Sequence, residues 1–94
     1  MKFLVKVRVN VATLAEFGSA LSEGRLDRSA IRGETYCLRE DPAVGYSVWE
    51  AEGRADFDAR FAAWRRFYSE VEAREVVGPA ESMKLLANSS RRPD

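Results

Sequence analysis

The chain has 94 residues, of which 46% are hydrophobic and 11% aromatic. That is enough for one modest core and too little for a second. Fifteen Lys and Arg balance fifteen Asp and Glu, so no overall field draws in nucleic acid or an anionic membrane, and neither is expected as a partner. One cysteine and no histidine exclude an internal disulfide and remove the usual residues of zinc, haem and serine-histidine chemistry. No acid cluster has calcium-loop spacing, so neither metal nor cofactor is expected.

Met1 to Lys6 is too short and too charged for a signal peptide, and no apolar run approaches membrane-spanning length. A cytoplasmic protein is expected. From Lys2 to Val9 the chain alternates, with Phe3, Val5, Val7 and Val9 on one face and Lys2, Leu4, Lys6 and Arg8 on the other, which predicts a strand with one dry face. Thr13-Leu14-Ala15-Glu16 fits a capping box. Leu14, Phe17 and Leu21 then form an apolar stripe, and Gly24 supplies a left-handed stop, so the first helix is expected over residues 13–23.

The segment from Ile31 to Glu40, with Thr35, Tyr36, Cys37 and Leu38, predicts a second strand, and Asp41-Pro42 a turn. VGYSVWEAE at 44–52 then predicts the third strand, closing a hairpin before Gly53. Phe57, Phe61, Trp64 and Tyr68 recur at helical spacing while Asp56 and Arg60 are placed to pair on the outer side, so one helix is expected to carry all four aromatics. A last strand is expected from Val71 to Val77, ended by Gly78-Pro79, with one helical turn at Glu81 to Leu86 against the body. Residues 1–87 thus read as one domain, and 88–94, which lack an apolar anchor, as a disordered tail.

Strand, helix, strand, strand, helix, strand with right-handed crossovers most simply gives an α+β, ferredoxin-like βαββαβ unit. It is a four-stranded antiparallel sheet with both helices on one face and strands one and three in the centre. The uncovered face predicts a homodimer or higher oligomer.

Lys2, Lys6 and Arg8 form a row of cations on that face. If a partner covers them they need counter-ions or an anionic ligand; otherwise they are solvated or paired with acids of the chain. In the third strand Val44, Tyr46, Val48 and Glu50 share one face and Gly45, Ser47, Trp49 and Ala51 the other. Tyr46 and Val48 are expected to face the helices, leaving Ser47 and Trp49 on the open face with Lys6. Lys6, Arg8, Ser47 and Trp49 are therefore the candidate ligand-binding set, with a plain packed wall as the alternative. Glu50 is a weak candidate general base, useful only if desolvated. Cys37, with no histidine to activate it, reads as a small buried hydrophobe.

FLVKVRV at 3–9, YSVWEAE at 46–52 and the helix that follows resemble muconolactone isomerase and its relatives in the dimeric α/β-barrel superfamily, which also contains small cofactor-independent monooxygenases. AAWRRFYSEVEAREVVGPAESMKLL is similar to small uncharacterised bacterial proteins of that superfamily. The resemblance implies two ferredoxin-like units with sheets face to face and a small-molecule pocket near the sheet. For the isomerase branch it implies proton transfer on a lactone carboxylate, with Lys6 matching the lysine of the first strand and an acid such as Glu50 shuttling the proton. That branch carries histidines where this chain has Leu4 and TYCLRE. The monooxygenase branch is matched at Trp49, with Gly45 and Ser47 in place of its polar partners. The expected function is binding of a small aromatic or carboxylate-bearing metabolite by a homodimer. The alternatives are an isomerase and a non-catalytic assembly module.

Overall fold

The computed structural model describes residues 1–90. Strand β1 (Lys2–Val9) has the alternation its sequence dictates: Phe3 and Val5 are buried while Lys2, Leu4 and Lys6 are exposed. It lies between β3 (Val44–Glu50) and β4 (Tyr68–Val76), and β2 (Ile31–Cys37) flanks β3, giving the order β2-β3-β1-β4 with every pairing antiparallel. Helices α1 (Leu14–Ser22) and α2 (Arg54–Phe61) send Ala20, Phe57 and Phe61 into one cluster with Phe3, Val5 and Trp49. Both helices therefore cover the same face. This is the ferredoxin-like fold, with strands one and three in the centre.

Register settles which side of β3 faces the helices. Phe3 stands opposite Trp49, Val5 opposite Ser47 and Val7 opposite Gly45, while Lys6 stands opposite Tyr46 and Leu4 opposite Val48. Residues directly opposite in an antiparallel pair share a face, so Ser47 and Trp49 lie on the helix side and Tyr46 and Val48 on the open side, the reverse of the sequence expectation. Burial agrees, with Trp49 at 2% exposure. The largest apolar side chain of the strand is removed from water, whereas the Tyr46 ring keeps a polar tip on the face that water reaches. Trp49 meets Phe57, Phe61 and Trp64 edge to face, with centroids 5.2–5.9 Å apart, a favoured arrangement for aromatic quadrupoles.

Other departures have local causes. The Thr13–Glu16 capping box does not form. The chain first makes a 3₁₀ turn at Val11–Thr13, where Asn10 Oδ1 accepts from the Ala12 amide at 3.1 Å and the Thr13 hydroxyl donates to the Asn10 carbonyl at 2.8 Å. Glu16 pairs with Arg66 instead. Gly24 takes φ +70° at the end of α1, as its position predicts.

Asp56 and Arg60 pair at 3.1 Å as their spacing predicts. However, α2 ends at Phe61, the chain turns through Trp64, and Tyr68 opens β4. The aromatic stripe keeps its inward direction although the helix carries only its first half, and the turn seats the fully buried Phe67 on Phe17, centroids 4.8 Å apart. Cys37 is exposed rather than buried, because β2 is an edge strand. Helix α3 (Pro79–Ser90) is far longer than one turn and takes in Asn88–Ser90; the remainder of the expected tail, 91–94, lies outside the described residues. Met83, Leu85 and Leu86 are 67%, 54% and 63% exposed, so the helix is not laid against the body.

Candidate functional site

Between α1 and the β2–β3 half of the sheet lies a cleft of about 680 Å³. Phe17 and Leu21 of α1 form one wall, Trp49, Phe61, Trp64 and Tyr68 the inner end, and Thr35 and Cys37 part of the rim along β2. The small residues at 45 and 47 of β3 hold it open. A Cβ on Gly45 would sit 3.5 Å from Cys37 Sγ and 3.6 Å from Val7 Cγ2, in ordinary contact, and any longer side chain would grow into the space. On the next strand, β2 bulges between Arg32 and Tyr36 with Gly33 at φ +73°, a left-handed conformation that glycine adopts without strain.

The polar groups of the cleft are few. Trp49 Nε1 donates to Ser47 Oγ at 3.0 Å, which leaves the Ser47 hydroxyl hydrogen available. Burial, followed by the nearby Cys37, pushes the Tyr68 phenol up to about 12, so it stays protonated and able to donate throughout the neutral range. Trp64 Nε1 is buried and has no hydrogen-bond partner among the described residues. An unpaired buried donor costs about 1–3 kcal/mol. The charged lining residues are Arg28 and Glu34.

The structure divides the candidate set. Ser47 and Trp49 line the cleft; Lys6 and Arg8 are on the opposite face of the sheet. Arg8 is engaged by Asp41 at 3.0 Å and Glu70 at 3.5 Å, and the hydrogen bond that it donates to Asp41 holds its guanidinium above the ordinary value. Lys6 stands between Tyr46 and Glu72 in the strand register. Glu72 is held below the usual carboxylate range by Arg74 first and more weakly by Lys6, so Lys6, like Arg8, has an acidic neighbour within the chain. Glu50, also on the open face, is paired with Arg32 at 3.0 Å and half exposed, not desolvated as a general base requires. Lys6 and Glu50 thus do not meet at the cleft. Among the described residues no group of three or more Cys, Asp or Glu could hold a metal ion.

Most of the lining, Tyr68 and Trp64 included, lies outside the candidate set of Lys6, Arg8, Ser47 and Trp49. Both belong to a stripe whose spacing implies core, and the sequence signal for Tyr68 is its phenol in an otherwise apolar row.

None of the described helices is long and apolar enough to cross a membrane. No family model and no curated protein matches this sequence. Among solved structures, a Bordetella bronchiseptica protein described as a candidate antibiotic biosynthesis monooxygenase aligns with 82% of this chain and 96% of its own, at 20% identity and a TM-score of 0.45. The ferredoxin-like assignment stands on the strand order and pairings themselves, not on that likeness.

Proposed function

We propose that this chain binds a small, uncharged, planar ligand in the cleft between α1 and the sheet, and that it works as a homodimer paired through the open sheet face. The cleft itself carries the reading: about 680 Å³ of space between aromatic walls, held open where β3 has Gly45 and Ser47. The Ser47 and Tyr68 hydroxyls are donors among its lining residues, and aromatic walls favour a flat guest. Between the two ligand types the sequence suggested, the aromatic one is favoured over the carboxylate, because Lys6 and Arg8 are on the other face and the one cation among the described lining residues of the cleft, Arg28, is accompanied there by Glu34.

Titration with the neutral fluorescent probe N-phenyl-1-naphthylamine tests the cleft. The wild type is expected to bind it, and Gly45→Leu, which fills the space while keeping the strand, to lose it. Binding that survives Gly45→Leu unchanged, or no binding by the wild type, overturns the cleft as a ligand site.

The dimer rests on the open face, where Leu4 is 40% exposed beside Tyr46 and Val48. An antiparallel sheet covered on one side only either faces water with polar residues or buries its second face on a partner. Sedimentation of the full chain at micromolar concentration is expected to give twice the chain mass, and Leu4→Glu to give the monomer.

A further inference from the structure

Helix α3 has no part in the cleft, and its shape is the most unusual feature of the chain. A compact chain of this length has a radius of gyration of about 12 Å; this one has 16.1 Å, with a longest axis of 54 Å. Nine residues of β4 span about 30 Å, so the sheet alone cannot reach that length. The helix, about 18 Å long for its twelve residues, follows β4 after only Val77 and Gly78 and supplies most of the difference. It extends beyond the end of the sheet.

Its surface is not that of a solvated spacer. Pro79, Met83 and Leu86 recur at i, i+4 and i+7 with Ala80 and Ala87 beside them, one apolar stripe by helical geometry. Its charged residues are Glu81 and Lys84, so neither a nucleic acid nor an anionic membrane surface is attracted to it. It does not cover its own sheet, where Leu4 and Tyr36 remain 40% and 65% exposed.

The chain itself contains a surface in need of more contact. Four strands about 4.8 Å apart and about 26 Å long give an open face with a footprint of about 500 Å², short of the roughly 800 Å² per partner that a stable pair buries. A helix of this size adds about 180 Å² if laid on the partner, bringing the footprint close to that mark.

We propose that α3 is an arm exchanged between two copies of this chain, its Pro79–Met83–Leu86 stripe packing on the second copy at the margin of the paired sheet faces. The proposal rests on the homodimer reading and says where the remainder of that interface comes from. The apolar stripe lies against protein in the pair and against water only in the separated chain, and each arm grips reciprocally, as two-fold symmetry requires.

Sedimentation equilibrium over a concentration series, on the full chain, tests it. Met83→Glu combined with Leu86→Glu is expected to weaken dimerisation about thirtyfold or more, the factor that goes with losing a buried anchor. Met83→Ala with Leu86→Ala, which keeps helix propensity, is expected to weaken it in the same direction. Circular dichroism should show the strand signal unchanged in both, since these side chains are exposed in the single copy. If Leu4→Glu separates the copies while both arm variants pair as tightly as the wild type, the arm is overturned and the paired sheet faces stand. A wild type that is monomeric at these concentrations overturns both. Flotation with phosphatidylcholine vesicles that is lost in the arm variants would give α3 a lipid occupant and overturn the exchange.

Discussion

The two faces of the sheet are made from the same strands, residue by residue in alternation, yet they have nothing in common chemically. The helix side carries Phe3, Val5 and Trp49 with aromatic rings in edge contact and a cleft opened by Gly45 and Ser47. The open side carries Lys2, Lys6, Arg8, Arg32 and Arg74 interleaved with Glu50, Glu70 and Glu72, and a narrow apolar row of Leu4, Tyr46 and Val48. The ion pairs between these groups are partly exposed and tied to neighbouring strands, the kind that contributes little to stability. One face holds the fold together and offers a closed-in space. The other is left free to choose a partner.

The contrast should be sharpest in stability. Trp49→Ala empties a site at 2% exposure surrounded by three aromatic rings, and is expected to cost about 3–5 kcal/mol. Leu4→Ala, one strand over and 40% exposed on the other face, is expected to cost below about 1 kcal/mol in the separated chain. Urea denaturation at concentrations low enough to keep the copies apart measures both. Similar losses at the two positions would mean that the faces do not divide the work as their burial indicates.

Where the sequence could be read, the physical reason was redundancy. In β1 every second residue is apolar, so the pattern admits one parity; in β3 Tyr46 and Val48 stand on one parity and Trp49 on the other, so the pattern admits both. The tie is broken by Phe3, which stands across from Trp49, a long-range fact that no window of the chain contains. Phe57, Phe61, Trp64 and Tyr68 were legible as inward-facing but not as one helix and a turn, because a chain that turns back with its aromatics still pointing inward preserves the spacing. The cleft was legible only in part. Alternation marks Ser47 and Trp49 as ligand-binding candidates but puts them beside Lys6 and Arg8, the face that the register with β1 reverses, and Gly45 matters for a side chain it lacks.

A second difference between the faces is set by pH. The Tyr68 phenol, mostly buried at the cleft, titrates at about 12 rather than 10. Between those values the folded chain keeps a proton that the unfolded chain has released, so raising the pH favours unfolding. Stability from this group is complete below pH 10, falls as the pH rises towards 12 and is level above it. The loss is about 2 kcal/mol, the ring's partial exposure keeping it below what full burial would cost. Absorbance titration of phenolate is expected to show a late-ionising tyrosine that Tyr68→Phe removes, together with a shallower loss of stability in that variant. An alkaline profile that the substitution leaves unaltered would show Tyr68 to be as wet as a residue of the open face.

The smallest expected effect belongs to Lys6, the position where strand alternation and family resemblance both pointed to a ligand. Its ammonium leaves the sheet on the side away from the cleft, between Tyr46 and Glu72 in the register, and four-stranded backbone separates it from Ser47 and Trp49. A charge-assisted hydrogen bond to a ligand would be worth roughly 1.5–3 kcal/mol, which is more than tenfold in affinity, so the two placements are easy to tell apart. Lys6→Met is expected to leave binding of N-phenyl-1-naphthylamine within about twofold of the wild type, where Gly45→Leu abolishes it. It is also expected to leave 2-naphthoate binding no stronger than that of the neutral probe in either protein. A tenfold loss of either ligand in Lys6→Met would place the ligand on the open face, and the cleft would then be the wall.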